Sequence, residues 1–216
     1  MNRREFSAGA ACVVGATWIG LPGMAWAQSP TPVDGKDFIS YSPRVYEPAA
    51  GKIEVIEFFW YNCPHCNAFE PALEAWSKKL PADVVLTRVP AAFRDDMVPQ
   101  QRLFYTLEAM GKLGEMHNKV FRSIHVDKQA VDREPSIAAW AERQGLDKVK
   151  FQEMYNSMGI QAKARRASQL SSGFKIGGVP SIGVNGKYYT DGDLAGNQTR
   201  MLQVTEYLIA ESRKAR

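Results

Sequence analysis

The chain has 216 residues, of which 45% are hydrophobic and 23% charged, and its formal net charge is +4. These values are typical of a globular protein with a sizeable core, built as one large domain or as one domain with an insertion. The positive charge is spread along the chain without a dense Lys/Arg block, so the composition argues against a nucleic-acid-binding function.

The N-terminus has the layout of an export signal. MNRREF supplies a positive n-region, residues 7–24 are rich in Ala, Gly and Val, and Ala25-Trp26-Ala27 provides a small-residue cleavage site. We therefore predict that residues 1–27 are a signal peptide cleaved after Ala27, followed by a flexible Pro-rich leader over residues 28–36. A membrane anchor is the alternative, although glycines and a proline in the segment disfavour a spanning helix. RREF leaves both the twin-arginine and the general export route open.

A strand, a helix and a second strand are predicted next. Residues 53–61 (IEVIEFFWY) are almost all β-branched or aromatic, which is typical of a buried strand. The apolar spacing of AFEPALEAWSKKL predicts a helix that begins just after Cys63, with Pro64 in its first turn. VVLTRV at residues 84–89 predicts the following strand. The cysteine therefore lies at the strand-to-helix junction of a β-α-β unit.

Residues 97–173 have a different pattern, with several amphipathic helical segments separated by Gly and Pro. Strand character returns near residue 181, where Asn185-Gly186 gives a strong hairpin signal, and a helix closes the chain. We predict an α/β fold in which residues 37–96 and 174–216 form one sheet-based domain. Residues 97–173 form a helical subdomain inserted into it.

The chain contains three cysteines, of which Cys12 is lost with the predicted signal peptide. Cys63 and Cys66 remain, separated by Pro64 and His65 in the sequence CPHC. A disulfide that closes so short a loop constrains the unfolded chain very little, so its contribution to stability is small. The pair is therefore better explained by chemistry than by a structural role.

Several cofactor sites are disfavoured by the residues around this pair. A zinc site needs about four ligands, and we expect His117 and His125, which lie in predicted helices without a partner at ligand spacing, to be solvated. A c-type haem needs C-x-x-C-H, but Asn67 follows Cys66. An iron–sulfur cluster lacks its other thiolates. We therefore expect no metal and no cofactor, and favour a dithiol/disulfide couple.

The predicted placement gives the two thiols different properties. Cys63 lies at a helix N-terminus, where free N–H groups and the helix dipole stabilise a thiolate. His65 can add a positive charge or a hydrogen-bond donor. Cys66 lies one turn further, towards the core, which suits a resolving cysteine. Because a stabilised thiolate stabilises the reduced protein, the disulfide is predicted to be an oxidant.

Two further features are candidates for the same site. Glu57 interrupts the apolar strand, and a buried carboxylate is costly unless it is paired or functional. It could accept or relay the proton of Cys66, or it could be a strand-end glutamate that reaches solvent. Within GGVPS, the Val179-Pro180 bond enters a strand, where a cis peptide is plausible and an ordinary trans loop is the alternative.

Together, EFFWYNCPHC followed by FE, the helical insert, and GVP before a hairpin and terminal helix resemble the DsbA-type thiol:disulfide oxidoreductases of the thioredoxin superfamily. The resemblance implies a thioredoxin-like fold, with a central mixed sheet flanked by helices and an inserted helical subdomain. It implies a periplasmic enzyme that donates its Cys63–Cys66 disulfide to unfolded or extended exported proteins with free thiols. Reoxidation by a quinone-linked inner-membrane oxidase is also implied.

The resemblance assigns roles to individual residues. It implies that Cys63 is the nucleophile and Cys66 the resolving cysteine, while the remaining positions tune the couple or bind substrate. The tuning positions are Pro64, His65 and Glu57, and the substrate-binding positions are Val179 and Pro180. Glu70 falls where the family often carries an acidic residue, or it is only a surface charge. The chain lacks the second, non-catalytic cysteine pair of some members.

Three other functions compete with disulfide donation. A disulfide isomerase or reductant of the same superfamily is the nearest, although isomerases usually carry a separate dimerisation domain for which we find no room before the first strand. A peptide-binding chaperone with incidental cysteines and a metal-binding module are the other two. An active double variant without both thiols would favour the chaperone, and metal in the reduced protein would favour the module.

Overall fold

A mixed five-stranded sheet forms the centre of the computed structural model, which describes residues 30–215. The strands are β1 (Ile39–Ser40), β2 (Ile53–Phe59), β3 (Val84–Pro90), β4 (Ser181–Val184) and β5 (Tyr188–Asp191). Their order across the sheet is β1-β5-β4-β2-β3, in which β2 and β3 run parallel and the other three pairs run antiparallel. The predicted α/β class with a mixed sheet is confirmed.

Helices cover both faces of this sheet. They are α1 (Pro64–Ser77), α2 (Val98–Ala109), α3 (Leu113–His125), α4 (Glu134–Arg143), α5 (Lys148–Tyr155), α6 (Met158–Gly173), α7 (Gly192–Ala195) and α8 (Gln198–Lys214), with a short 3-10 turn at Asp95–Met97. Helices α2–α6 all lie between β3 and β4, where the sequence predicts an insertion. The boundaries of that insertion, residues 97–173, stay a prediction. None of the helices within residues 30–215 combines the length and apolarity needed to cross a membrane.

Strand β2 is paired on both edges, with β3 and β4, and is buried on both faces of the sheet. Val55 packs in a core with residues of α1 and α8, whereas Ile56 and Phe58 pack in a second core with residues of α6. A strand buried on both faces has no alternation of apolar and polar residues, which accounts for the continuous run that predicts it. Its C-terminal end leads directly into the turn that carries Cys63.

The hairpin and the first strand show how the local predictions compare with the structure. Asn185 and Gly186 have φ angles of 54° and 66°, the left-handed values that a two-residue hairpin turn requires, so the predicted hairpin is confirmed. Residues 38–45, which also have the pattern of a short edge strand, contain only the two residues of β1. The predicted signal peptide, residues 1–27, lies outside the described residues.

Candidate functional site

Cys63 caps the N-terminus of α1. Its backbone is extended, with φ −80° and ψ 117°, and its sulfur accepts a hydrogen bond from the backbone N–H of Cys66 at 3.4 Å. Pro64 occupies the first turn, where a missing N–H removes no helical hydrogen bond. The predicted position of Cys63, at a strand-to-helix turn with free helix N–H groups aimed at its sulfur, is confirmed.

The two sulfurs of the reduced pair differ sharply in acidity. The pKa of Cys63 falls to about 6, mainly because the Cys66 thiol donates a hydrogen bond to its sulfur. The N–H groups of Cys66 and His65 and the positive charge of His65 add to this effect. Burial raises the pKa of the fully buried Cys66 thiol far above its usual value. Near neutral pH the pair therefore holds one thiolate, on Cys63, and one thiol, on Cys66.

The loop before β4 approaches Cys63 from the other side. The Val179 carbonyl oxygen lies 3.3 Å from the Cys63 sulfur and accepts its hydrogen when the thiol is protonated. The Val179-Pro180 peptide bond is cis, as the sequence suggests, and the Ser42-Pro43 bond is cis as well. The loop thus places its backbone directly beside the reactive sulfur.

A groove of about 940 Å³ extends from this loop along the start of α8. Four glycines line this groove, so parts of its walls are bare backbone without side chains. They are Gly177, Gly178, Gly192 and Gly196. Across the groove, the Gln198 side chain donates a hydrogen bond of 2.8 Å to the His65 carbonyl oxygen. The groove therefore offers room for an extended chain next to Cys63.

On the core side of the cysteines lies a cluster of charged side chains. Glu57 is 1% exposed, so the alternative of a strand-end glutamate that reaches solvent is wrong. Arg88 lies opposite it in the β2–β3 register, and its Nε is 3.2 Å from Glu57 Oε2. Arg88 Nη2 donates a hydrogen bond to Glu70, which is also buried, so Glu70 is not a surface charge.

The pKa of Glu57 is raised to about 8, mainly by burial and then by the negative charge of Glu70, while Arg88 acts in the opposite direction. The Glu57 charge in turn contributes to the raised pKa of Cys66. Glu57 is therefore electrostatically coupled to the buried thiol, and much of it is protonated at neutral pH.

Two histidines of α3 reach the same region, and the expectation that they are solvated is wrong. His117 is buried, its Nδ1 is 2.9 Å from the Tyr61 hydroxyl, and its Nε2 is 3.5 Å from Glu70 Oε2. His125 is half-buried, with its Nε2 2.8 Å from the Tyr61 carbonyl oxygen. Tyr61, two residues before Cys63, is thus held at both ends by α3, because the helix packs against the turn instead of facing water.

The members of the charged cluster lie far apart in the sequence. They are Glu57, Glu70, Arg88 and His117. Arg88 could have been found, because it interrupts a predicted strand as Glu57 does and two parallel neighbours in a β-α-β unit come into register. His117 carries no such signal, since its partner Tyr61 lies 56 residues away. Within residues 30–215, no three His, Cys, Asp or Glu side chains come together as a metal site.

Comparisons with known proteins point to one family. The family model of the DSBA-like thioredoxin domain matches residues 54–208. The chain is 40% identical to the thiol:disulfide interchange protein DsbA of Bordetella pertussis over 207 residues, covering 95% of each chain. It is 41% identical to DsbA of Pseudomonas aeruginosa over 195 residues, covering 90% of this chain and 92% of that one.

Solved structures agree with these sequence relatives. The crystal structure of Pseudomonas aeruginosa DsbA matches with a TM-score of 0.79 and 41% identity, over 84% of this chain and 94% of that one. The oxidoreductase DsbA from Xylella fastidiosa matches with a TM-score of 0.79 and 28% identity, over 86% of this chain and all of that one.

Proposed function

The chain belongs to the DSBA-like thioredoxin family and is a protein disulfide oxidoreductase, and we propose that it donates its Cys63–Cys66 disulfide through a mixed disulfide on Cys63. The observation that carries the proposal is the unequal acidity of the two sulfurs, with the pKa of Cys63 lowered to about 6 and that of Cys66 raised. A couple whose reduced form is stabilised by a thiolate gives up its disulfide readily.

The reaction starts from the oxidised protein. A substrate thiolate attacks the Cys63 sulfur, which forms the mixed disulfide and breaks the bond to Cys66. The displaced Cys66 sulfur is buried, so it must take up a proton, and we assign the protonated Glu57 as its donor. A second substrate thiolate then attacks the substrate sulfur of the mixed disulfide. Cys63 leaves as its stabilised thiolate, and the substrate leaves with a new disulfide.

Substrate is bound beside Cys63 by the loop that contains Val179 and Pro180. The groove of about 940 Å³ and its glycine-rich walls support this role, since an extended chain can approach the backbone closely there. We assign Pro64 and His65 to tuning: Pro64 keeps the first helical turn in place, and the positive charge of His65 lowers the pKa of Cys63.

The substrates are proteins with free thiols, and we propose that they are unfolded or extended proteins newly exported to the periplasm. The signal-like residues 1–27 support this location. Each turnover leaves Cys63 and Cys66 reduced, so the cycle needs an external oxidant. We propose a quinone-linked oxidase of the inner membrane, as the family resemblance implies.

The reduction potential of the Cys63–Cys66 couple, measured by equilibration with glutathione, tests the proposal. We expect a value more positive than about −180 mV, which is typical of disulfide isomerases. A value near −270 mV, typical of a thioredoxin-like reductant, would contradict disulfide donation. The chaperone alternative is tested by a C63S/C66S double variant, which retains full activity if the cysteines are incidental.

A further inference from the structure

The buried cluster that contains Glu57 also contains Arg88, Glu70 and His117, whose contacts the disulfide reaction itself does not require. We propose that Glu70 and His117 are positioning residues that keep the proton on Glu57, because Glu70 engages Arg88 and His117 supports Glu70. The inference rests on the proposed function, in which Glu57 passes this proton to Cys66.

Arg88 serves the two carboxyl groups unequally. Its Nη2 donates a hydrogen bond to Glu70 Oε1. Its Nε lies 3.2 Å from Glu57 Oε2, but neither oxygen of Glu57 receives a hydrogen bond. The guanidinium is a planar fork whose donors have fixed directions, so a bond to Glu70 limits how well it can bond to Glu57. The guanidinium of Arg88 is therefore aligned with Glu70 and not with Glu57.

His117 supports Glu70 from the other side. Burial lowers the pKa of this histidine, so the ring is neutral near neutral pH. Because Nε2 faces the Glu70 carboxyl group, we assign the ring hydrogen to Nε2, and Nδ1 then accepts from the Tyr61 hydroxyl 2.9 Å away. That nitrogen lies 3.5 Å from Glu70 Oε2, so the positive end of the N–H dipole faces the carboxylate. Glu70 therefore accepts a hydrogen bond from Arg88 at Oε1 and has a dipolar contact with His117, without a hydrogen bond, at Oε2.

The total charge of the cluster indicates that one of its two carboxyl groups, Glu57 or Glu70, is protonated. Glu57 and Glu70 share one cation, Arg88, so the cluster would carry an uncompensated negative charge in a buried site if both were ionised. One carboxyl group therefore holds a proton, and we assign it to Glu57, because Arg88 donates its hydrogen bond to Glu70. The groups that act on Glu57 are Arg88 from β3, Glu70 and Cys66 from α1, and Tyr61 from the turn. The raised pKa of Glu57 agrees with this order.

The E70Q substitution tests the proposal, because it removes one negative charge and keeps an oxygen that can accept from Arg88. The titration of Glu57 is followed by the ¹³C shift of its carboxyl group in the oxidised protein, with E57Q to assign the signal. We expect the midpoint to fall by about one to three pH units, the usual effect of removing a close like charge.

The matched control is E74Q, which makes the same change one turn later on α1. Glu74 contacts Lys78 and Asn118 at the surface and has only a distant charge interaction with Arg88, so we expect E74Q to shift the Glu57 midpoint much less than E70Q does. A shift in E70Q no larger than that in E74Q would overturn the proposal.

His117 is tested by two further variants, which also carry the test if E70Q does not fold. H117L removes both contacts, so we expect the Glu57 midpoint to fall by less than in E70Q. H117Q keeps an amide that can accept from Tyr61 and donate to Glu70, so we expect it to restore the wild-type midpoint. A midpoint that is the same in both variants would remove His117 from the proposal.

Oxidation of a dithiol peptide, measured in parallel, separates this inference from the proposed function. If wild-type protein oxidises the peptide and E70Q leaves the Glu57 midpoint unchanged, the inference fails and the proposed function stands. If wild-type protein does not oxidise the peptide, the proposed function fails whatever Glu57 does.

Discussion

The two sulfurs of the CPHC motif lie one helical turn apart, but their surroundings are built in different ways. Cys63 is surrounded by groups close to it on α1 and on the facing loop: the Cys66 thiol, the first N–H groups of α1 and the carbonyl of Val179. Cys66 is influenced by the charge of Glu57, which belongs to a cluster of buried polar side chains from β2, β3, α1 and α3. The comparison shows that the thiolate depends on local helix geometry, whereas control of the proton depends on a few distant side chains. Substitutions should therefore affect the two sides differently.

The largest effect is expected from replacing each cysteine in turn. Cys63→Ser removes the sulfur that forms the mixed disulfide, so we expect complete loss of peptide oxidation. Cys66→Ser leaves Cys63 able to form a mixed disulfide that has no internal thiol to resolve it. Mass spectrometry after incubation with an oxidised peptide should therefore show a covalent adduct with Cys66→Ser and none with Cys63→Ser. Adducts of equal yield in both variants would contradict the assigned roles.

The Cys63 thiolate should also make the stability of the reduced protein depend on pH. Its pKa is lowered from 9.0 to about 6 in the folded state, so this stabilisation is complete above pH 9 and is lost as the pH falls through 6. Between pH 6 and pH 8, we expect the unfolding free energy of the reduced protein to rise by about 2 kcal/mol relative to the oxidised protein. Urea denaturation of both forms measures this, and a constant difference would exclude a depressed thiol pKa.

Glu57 should produce the opposite slope. Its pKa is raised from 4.5 to about 8 in the folded state, so the folded protein binds more protons than the unfolded chain in this range. Stability should therefore fall as the pH rises. In the oxidised protein, which has no Cys63 or Cys66 thiol, we expect a loss of about 1.5 kcal/mol between about pH 6.5 and pH 8. The matched variant E57Q should abolish this slope, and an unchanged slope in E57Q would assign it to another group.

The smallest effect is expected at His65. Its charge lowers the pKa of Cys63, but hydrogen bonds from Cys66 contribute more. We expect His65→Ala to raise the pKa of Cys63 by about half a unit, or about 0.7 kcal/mol, with a correspondingly less oxidising couple. His65→Lys, which keeps a positive charge, is the control. A rise of several units in the pKa of Cys63 would show that the His65 side chain, and not the hydrogen bonds from Cys66, is the main stabiliser of the thiolate.

The same contrast explains how much could be predicted from the sequence. The position of Cys63, the flanking strands, the hairpin and the Val179-Pro180 loop follow from contiguous residues, and the structure has them where they are predicted. Glu57 can be predicted because it interrupts an apolar strand. The sequence leaves Glu70 open between a site position and a surface charge and predicts a solvated His117, because helical periodicity does not specify which neighbouring element covers a polar position. Tertiary packing of α3 on the active-site turn supplies that information.

A thiolate absorbance titration of the reduced protein tests most directly whether the two sulfurs are as unequal as this account requires. We predict a single transition near pH 6 with the amplitude of one thiolate, and no second transition below about pH 9. Cys63→Ser should remove the transition. Two thiolates that titrate together, or a first transition near the ordinary cysteine value of about 8.5, would contradict the account.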